Sequence, residues 1–337
     1  MAWSAITALD DARDATESLL WPPDRGTWIR LAIIAFFVGG VGFPSFSGNT
    51  GSVDVPADGP PGGTPSIPVD VDQVLAIVLL IVAVAVVIGL ILGIVGAVME
   101  FVLVEGLRSR DVRIRAPFDE YLGSGLRLFG FRLAFTLLWL LIIGVPIALI
   151  VLGWAAVPVG PEIFLLAIPL VFLLVVLGFV TSIVLGLTTD FVVPAMLVED
   201  LGVLAGWRRV LPMLRREWKE VVLYMLVRFG LSILVGIAVA IVLVLLAVVA
   251  AIPFVIVGGV AAVAFLSTGS GGLGIAGFAV LGVLALLFGL VMLVVGLLVQ
   301  VPVVTFFRYY ALSLLGYLDP TLDLVGVSES EESDATT

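Results

Sequence analysis

A chain of 337 residues that is 61% hydrophobic and only 12% charged cannot wet the surface of a soluble globule, for which about 25% charged residues is usual. It has no cysteine and no histidine, which removes disulfides, thiolate nucleophiles, Cys/His zinc sites and histidine acid–base chemistry. The net charge of −10 comes from 26 acidic against 16 basic residues, and no basic patch is large enough to point to nucleic acid.

The segment before the first apolar run carries Asp10, Asp11, Asp14 and Glu17, where a cleaved signal would be basic. Its Trp3, Ile6, Leu9, Ala12 and Leu19 form a weak apolar stripe at helical spacing. Beyond it, apolar runs long enough to cross a hydrocarbon core of about 30 Å set the organisation. Backbone in lipid must bond to itself, and runs such as Val74 to Val98 are apolar on every face. Helices are therefore expected, not a barrel, whose strands alternate apolar and polar residues.

Six spans are predicted, at 27–43, 74–104, 128–152, 163–187, 221–250 and 275–306. The first is short and ends at Pro44; the third holds Gly144 and Pro146 as a kink. The apolar sequence from Val221 to Phe265 is roughly twice what one span needs. It is read as a helix to Ala250, a break near Pro253 and a short apolar segment at the outer face. A tight hairpin at Pro253 would make eight spans.

The first outer loop, 44–73, is rich in Pro, Gly and Ser and carries Asp54, Asp58, Asp70 and Asp72; it is expected to be flexible. The acidic tail 320–337 is expected to be disordered. With both termini inside the cell, every Lys and Arg falls on the cytoplasmic side or at a cytoplasmic helix end, as the positive-inside rule requires. The chain is expected in the cell membrane.

The cytoplasmic segments repeat a pattern. Phe118, Tyr121, Leu122, Gly125, Leu126 and Phe129 precede the third span, and Leu204, Trp207, Leu211, Leu214 and Trp218 precede the fifth. Each reads as an amphipathic helix in the interface plane. The expected fold is thus an all-α integral membrane protein of three tandem helix pairs, each led by an interfacial helix. The return spans end alike, in Met99-Glu-Phe-Val-Leu103, Thr189-Asp-Phe-Val-Val193 and Val299-Gln-Val-Pro-Val303. The outward spans carry Arg30, Arg132 and Arg228 near their starts.

Ionisable groups at membrane depth are costly and mark functional candidates. The candidate polar network is therefore Arg30, Arg132, Arg228, Glu100, Asp190 and Gln300, one cation and one acid or amide per repeat. It would gate a polar path if the repeats surround a common axis, whereas snorkelling arginines with local partners would be structural only. The run Gly269-Ser-Gly-Gly-Leu-Gly274 lacks the Lys-Ser/Thr of a phosphate loop and is read as a turn. No nucleophile elbow, metal-ligand cluster or cofactor motif occurs, and no cytoplasmic segment is long enough for a catalytic domain. No enzyme, cofactor or metal is expected.

The stretch Ala8-Leu-Asp-Asp-Ala-Arg-Asp-Ala-Thr-Glu-Ser-Leu-Leu-Trp-Pro22, with Trp28-Ile-Arg-Leu31 and Phe37-Val-Gly-Gly40, resembles an uncharacterised family of multi-span membrane proteins from halophilic archaea. So does Asp190-Phe-Val-Val-Pro-Ala-Met-Leu-Val-Glu-Asp200 with its Trp207-Arg-Arg block, which is loosely similar to the membrane domain of some glycerophosphodiester phosphodiesterases. The resemblance implies fold and habitat. The phosphodiesterase activity needs histidines that this chain lacks. A single lysine, Lys219, and the acidic excess fit a salt-rich cytoplasm. The Pro-x-Asp/Glu-x-x-Lys/Arg signature of mitochondrial carriers is missing. The leading expectation is a non-enzymatic membrane scaffold or accessory protein, contacting lipids and, through its Arg-rich cytoplasmic elbows, other proteins. A small-solute transporter and a lipid-binding protein are the alternatives.

Overall fold

The computed structural model describes residues 4–41, 71–153, 162–267 and 274–326. Among them all regular structure is helical: α1 (Ser4–Leu20), α2 (Arg25–Phe36) running into a π turn (Phe37–Val41), α3 (Val71–Ser109), α4 (Arg115–Glu120) and α5 (Leu122–Gly153). There follow α6 (Glu162–Leu187), a second π turn (Thr188–Val192), α7 (Val193–Glu199), α8 (Val203–Arg216), α9 (Trp218–Ser267), α10 (Gly274–Leu318) and a 3₁₀ turn (Pro320–Leu322). Five helices are long and apolar enough to cross a membrane, at Leu75–Ser109, Leu122–Val145, Ile168–Glu199, Trp218–Phe265 and Ala276–Leu318. The first expected span corresponds to α2 and its π turn, and its last residues, 42–43, lie outside the described residues.

The molecule divides into a packed hub and bare arms. The hub buries α1, one face of α2, the end of α3 from Ala97 to Leu107, the start of α5, the second π turn with α7 and α8, the start of α9 and the end of α10. Phe101, Phe191, Tyr224, Tyr309 and Tyr310 are its largest fully buried side chains. Tyr224 stands with its ring centroid 5.4 Å from Phe191 and 4.9 Å from Tyr310. Beyond the hub the helices are apolar yet uncovered: residues 75–88 of α3 are exposed throughout wherever described. The α9–α10 hairpin packs along a narrow stripe, with Phe254 on Phe288 and Gly258 close to Leu281 and Leu284. In α5 and α6, Trp139 lies over Gly178 and donates to Thr181 Oγ1 at 3.3 Å.

Several sequence expectations are corrected. The break near Pro253 does not form, for α9 continues through it to Ser267 in a single helix of 50 residues, about 75 Å long. Proline inside a helix costs about 3 kcal/mol. Ending the helix within an apolar run would strand several backbone groups, each at several kcal/mol, so continuity wins. The same comparison applies to Pro302 in α10. Neither a span end at 250 nor a hairpin at Pro253 is present.

The apolar stripes of the expected interfacial helices match the buried faces only in part. α1 buries Ala5, Ala8, Ala12 and Ala15, not Ile6, which is exposed. Small side chains let its backbone approach α10 closely, and Tyr310 Oη donates to the Ala5 carbonyl at 2.9 Å. α8 has two apolar faces. Val203, Gly206, Val210 and Met213 face the hub, while Leu204, Leu211 and, just beyond the helix, Trp218 are exposed. A methyl at Gly206 would sit 2.8 Å from Val192, and one at Gly125 would sit 2.8 Å from the Val98 backbone. Both glycines are required by close helix approach. Residues 320–326, expected in a disordered tail, are instead packed: Asp319 caps the 3₁₀ turn, and Leu322 and Leu324 are buried. The remainder of that tail, residues 44–70 of the expected 44–73 loop and residues 269–273 of the glycine run lie outside the described residues, and residues 71–73 of that loop begin α3 instead.

Candidate functional site

Two return helices bring carboxylates into the hub. Glu100 is in the last third of α3 and Asp190 in the π turn after α6; both are almost fully buried. Glu100 Oε1 accepts from Arg132 Nη2 of α5 at 2.5 Å, and its Oε2 accepts from Arg308 Nη2 of α10 at 3.2 Å. Asp190 pairs with Arg228 of α9 and accepts from Tyr224 Oη at 3.1 Å. Arg228 Nη1 also donates to Tyr224 Oη at 2.8 Å.

Thr189 joins the two halves. Its Oγ1 accepts from Arg132 Nη2 at 2.7 Å, and its carbonyl accepts from Arg308 Nη1 at 2.6 Å. That carbonyl is free for a local reason. In the π turn the Val193 N–H bonds to Thr188 O instead of Thr189 O, and the next residue, Pro194, has no N–H to offer. A π turn and a proline thus leave one carbonyl without a helical donor, and Arg308 takes its place.

The network gathers four of the six candidates. Glu100 with Arg132 and Asp190 with Arg228 are ion pairs, each joining a return helix to the outward helix that follows it. Arg30 is not part of it: its Nη1 donates to the Val112 carbonyl at 2.9 Å, holding the turn before α4 onto α2. Gln300 is half-buried beside Gly39, and among the described residues it makes no hydrogen bond to these groups. In space, then, the position facing Gln300 on the first outward helix is Gly39, well over two turns beyond Arg30.

Arg308, Thr189 and Tyr224 were missed as site residues. Arg308 is 5% exposed. The span was expected to end at 306, which placed Arg308 at a helix end free to snorkel, but α10 runs on to Leu318 and carries it into the hub. The signal was present beyond 306: Tyr309 to Leu318 is apolar enough to continue α10, which puts the only cation of that helix inside it.

A second cluster sits at the outer edge of the hub. Arg209 Nε pairs with Glu199 at 2.9 Å, and its Nη2 reaches Asp319 at 2.8 Å and Thr321 Oγ1 at 2.9 Å. This clasp ties α7, α8 and the chain after α10. Burial pushes the Asp319 carboxyl up, but hydrogen bonds from Thr321 and Arg209 outweigh it and hold the group below its usual range. The described residues contain no group of three or more Asp or Glu placed to hold a metal ion.

Chemically, the main network has the means to cross-link four helices, and it leaves charge over. Two carboxylates face three guanidiniums, so the cluster keeps one uncompensated positive charge. No curated protein and no solved structure matches this chain. A model spanning residues 3–325, which include both the network and the clasp, does match, and the chain belongs to that family, a family of unknown function (DUF7544).

Proposed function

We propose that the protein is a non-enzymatic membrane scaffold or accessory protein of the cell membrane, with both termini in the cytoplasm. The observation that carries this reading is the contrast between hub and arms. The carboxylates at depth are held by arginines, tyrosine and threonine inside a packed hub, whereas the arms keep large apolar side chains uncovered, among them Ile81, Phe172, Leu245 and Leu286. Apolar surface on this scale is covered by lipid or by other membrane proteins. A polar route of the kind a small-solute transporter needs has little support in arms of this composition.

Support for the finer arrangement is of the same kind. The basic residues gather in the hub, which favours a cytoplasmic hub under the positive-inside rule. Pairing of each return helix with the next outward helix, and the closeness of Gln300 to Gly39, favour three helix pairs in a ring, with α2 as the first of six spans. The acidic excess and the single lysine favour the halophilic habitat that the resemblance implies. The exposed Leu204, Leu211 and Trp218 of the α8 elbow provide a docking face for membrane or partner.

Photo-crosslinkers at positions 81, 172, 245 and 286, in the native membrane, test the scaffold reading. A recurrent adduct with one other protein, lost when Leu204, Leu211 and Trp218 are replaced by serine, is the expected result. Lipid-only adducts at all four positions, together with solute flux in proteoliposomes, would overturn it.

A further inference from the structure

We propose that the arginine network holds the phosphate of an anionic phospholipid, bound at Arg132 and Arg228 with its acyl chains along the bare arm faces. The cluster carries one positive charge more than its carboxylates neutralise, and the excess is accessible. Arg308 is sealed in the hub, but the side chains of Arg132 and Arg228 are 26% and 34% exposed. Among the described residues, Arg132 makes both of its hydrogen bonds through Nη2. Arg228 reaches Asp190 and Tyr224 through Nη1 alone. Arg228 therefore keeps Nε and Nη2 without a protein acceptor, the edge that matches two oxygens of a phosphate, while Arg132 keeps Nε and Nη1, which point to opposite sides of its guanidinium and offer single bonds.

Depth selects the source of that phosphate. Arg132 lies about 9 Å along α5 from the exposed Leu126, and Arg228 about 15 Å along α9 from the exposed Trp218. Trp218 has the side chain of an interfacial belt, which puts the free edge of Arg228 below it, on the acyl side. Positive charge in excess of its carboxylates is costly there, and a lipid phosphate drawn slightly inward neutralises it without having to shed its own chains from the bilayer. The surroundings fit such chains: above Arg132 the exposed positions include Leu137, Leu138, Leu140 and Leu141, and above Arg228 they include Phe229, Ile233 and Leu234. This site does not depend on the scaffold reading.

Native mass spectrometry of the full chain, released from nanodiscs of phosphatidylglycerol and phosphatidylcholine, provides the test. Wild type is expected to retain phosphatidylglycerol at concentrations about tenfold lower than phosphatidylcholine. That preference should vanish in Arg132→Gln/Arg228→Gln and persist in Arg127→Gln, which removes an exposed arginine of the same helix outside the network. Millimolar inorganic phosphate should not displace the lipid. Equal retention of both lipids, an equal loss in Arg127→Gln, or displacement by free phosphate would each overturn the proposal. The double variant also strips partners from Glu100 and Asp190, so a second measurement uses wild type alone. A phosphatidylglycerol with a photoreactive chain should label α5 and α9 beside Arg132 and Arg228, and uniform labelling of all arms would overturn the site even if the variant fails to fold.

Discussion

Arg308 donates to Glu100 across 208 residues of sequence, and because Arg132 takes the other oxygen, one buried carboxylate ties α3, α5 and α10 together. The geometry makes Glu100 more sensitive than either arginine. Breaking a buried pair by removing one partner costs about 3–5 kcal/mol, since the survivor is left charged and unsolvated. Glu100→Gln strands two guanidiniums at once. We expect it to lower the thermal unfolding midpoint in nanodiscs more than Arg132→Gln, whose loss leaves Glu100 still paired with Arg308. Arg30→Gln should have the smallest effect of the three, about 1 kcal/mol, because only a carbonyl contact is lost. Equal midpoints for Glu100→Gln and Arg30→Gln would show that the network does not bear on stability.

Close approach of helices gives a second, independent test. Gly125→Ala and Gly206→Ala push a methyl against Val98 and Val192, and overpacking of this kind costs about 1–3 kcal/mol. Gly130, on the same helix as Gly125, has open space around it. Gly130→Ala should instead stabilise by up to about 1 kcal/mol through helix propensity. Unfolding midpoints that move in the same direction for Gly125→Ala and Gly130→Ala would contradict the packing described.

The sequence displayed the charges at depth but not their partners. Glu100, Asp190, Arg132 and Arg228 were visible because each interrupts an apolar run. Arg308 lies beyond the expected span end at 306, and Arg30 matches Arg132 in sequence order although Gly39 occupies the corresponding place in space. The α8 stripe was ambiguous for a physical reason. A helix with lipid on one side and protein on the other carries two apolar faces, and periodicity alone cannot say which one is buried. The length of α9 is not legible from Pro253 because proline breaks helices readily in water, where a helix end is cheap, and not within an apolar run.

The Arg209 clasp predicts a pH dependence outside the membrane segments. Asp319 has its carboxyl held below its usual value of 3.8. A group with a depressed folded value contributes stability that is fully present above the unfolded value and lost as pH falls through the folded one. Hydrogen exchange in residues 320–326 should therefore be flat from pH 7 to about 5, once the intrinsic rate is corrected for. Protection should fall below pH 4. Asp319→Asn should remove that acid transition and expose 320–326 at neutral pH. A pH-independent wild type would rule out the carboxylate as the fastening group.

The free carbonyl of Thr189 allows the sharpest test, because its two causes can be varied separately. In wild type, Arg308→Ala leaves that carbonyl buried with no donor, adding about 1–3 kcal/mol to the loss of the ion pair. Pro194→Ala restores an N–H five residues after Thr189, where the π turn is able to use it. In that background the carbonyl acquires a backbone donor and Arg308 is no longer its only partner. The cost of Arg308→Ala should then be smaller by roughly the same 1–3 kcal/mol, a coupling read from a double-mutant cycle of unfolding free energies. Additive effects would mean that Thr189 finds another donor and that the proline has no part in positioning Arg308. A cycle with the predicted sign would tie the arginine that joins the two ion pairs to the absence of one backbone hydrogen at position 194.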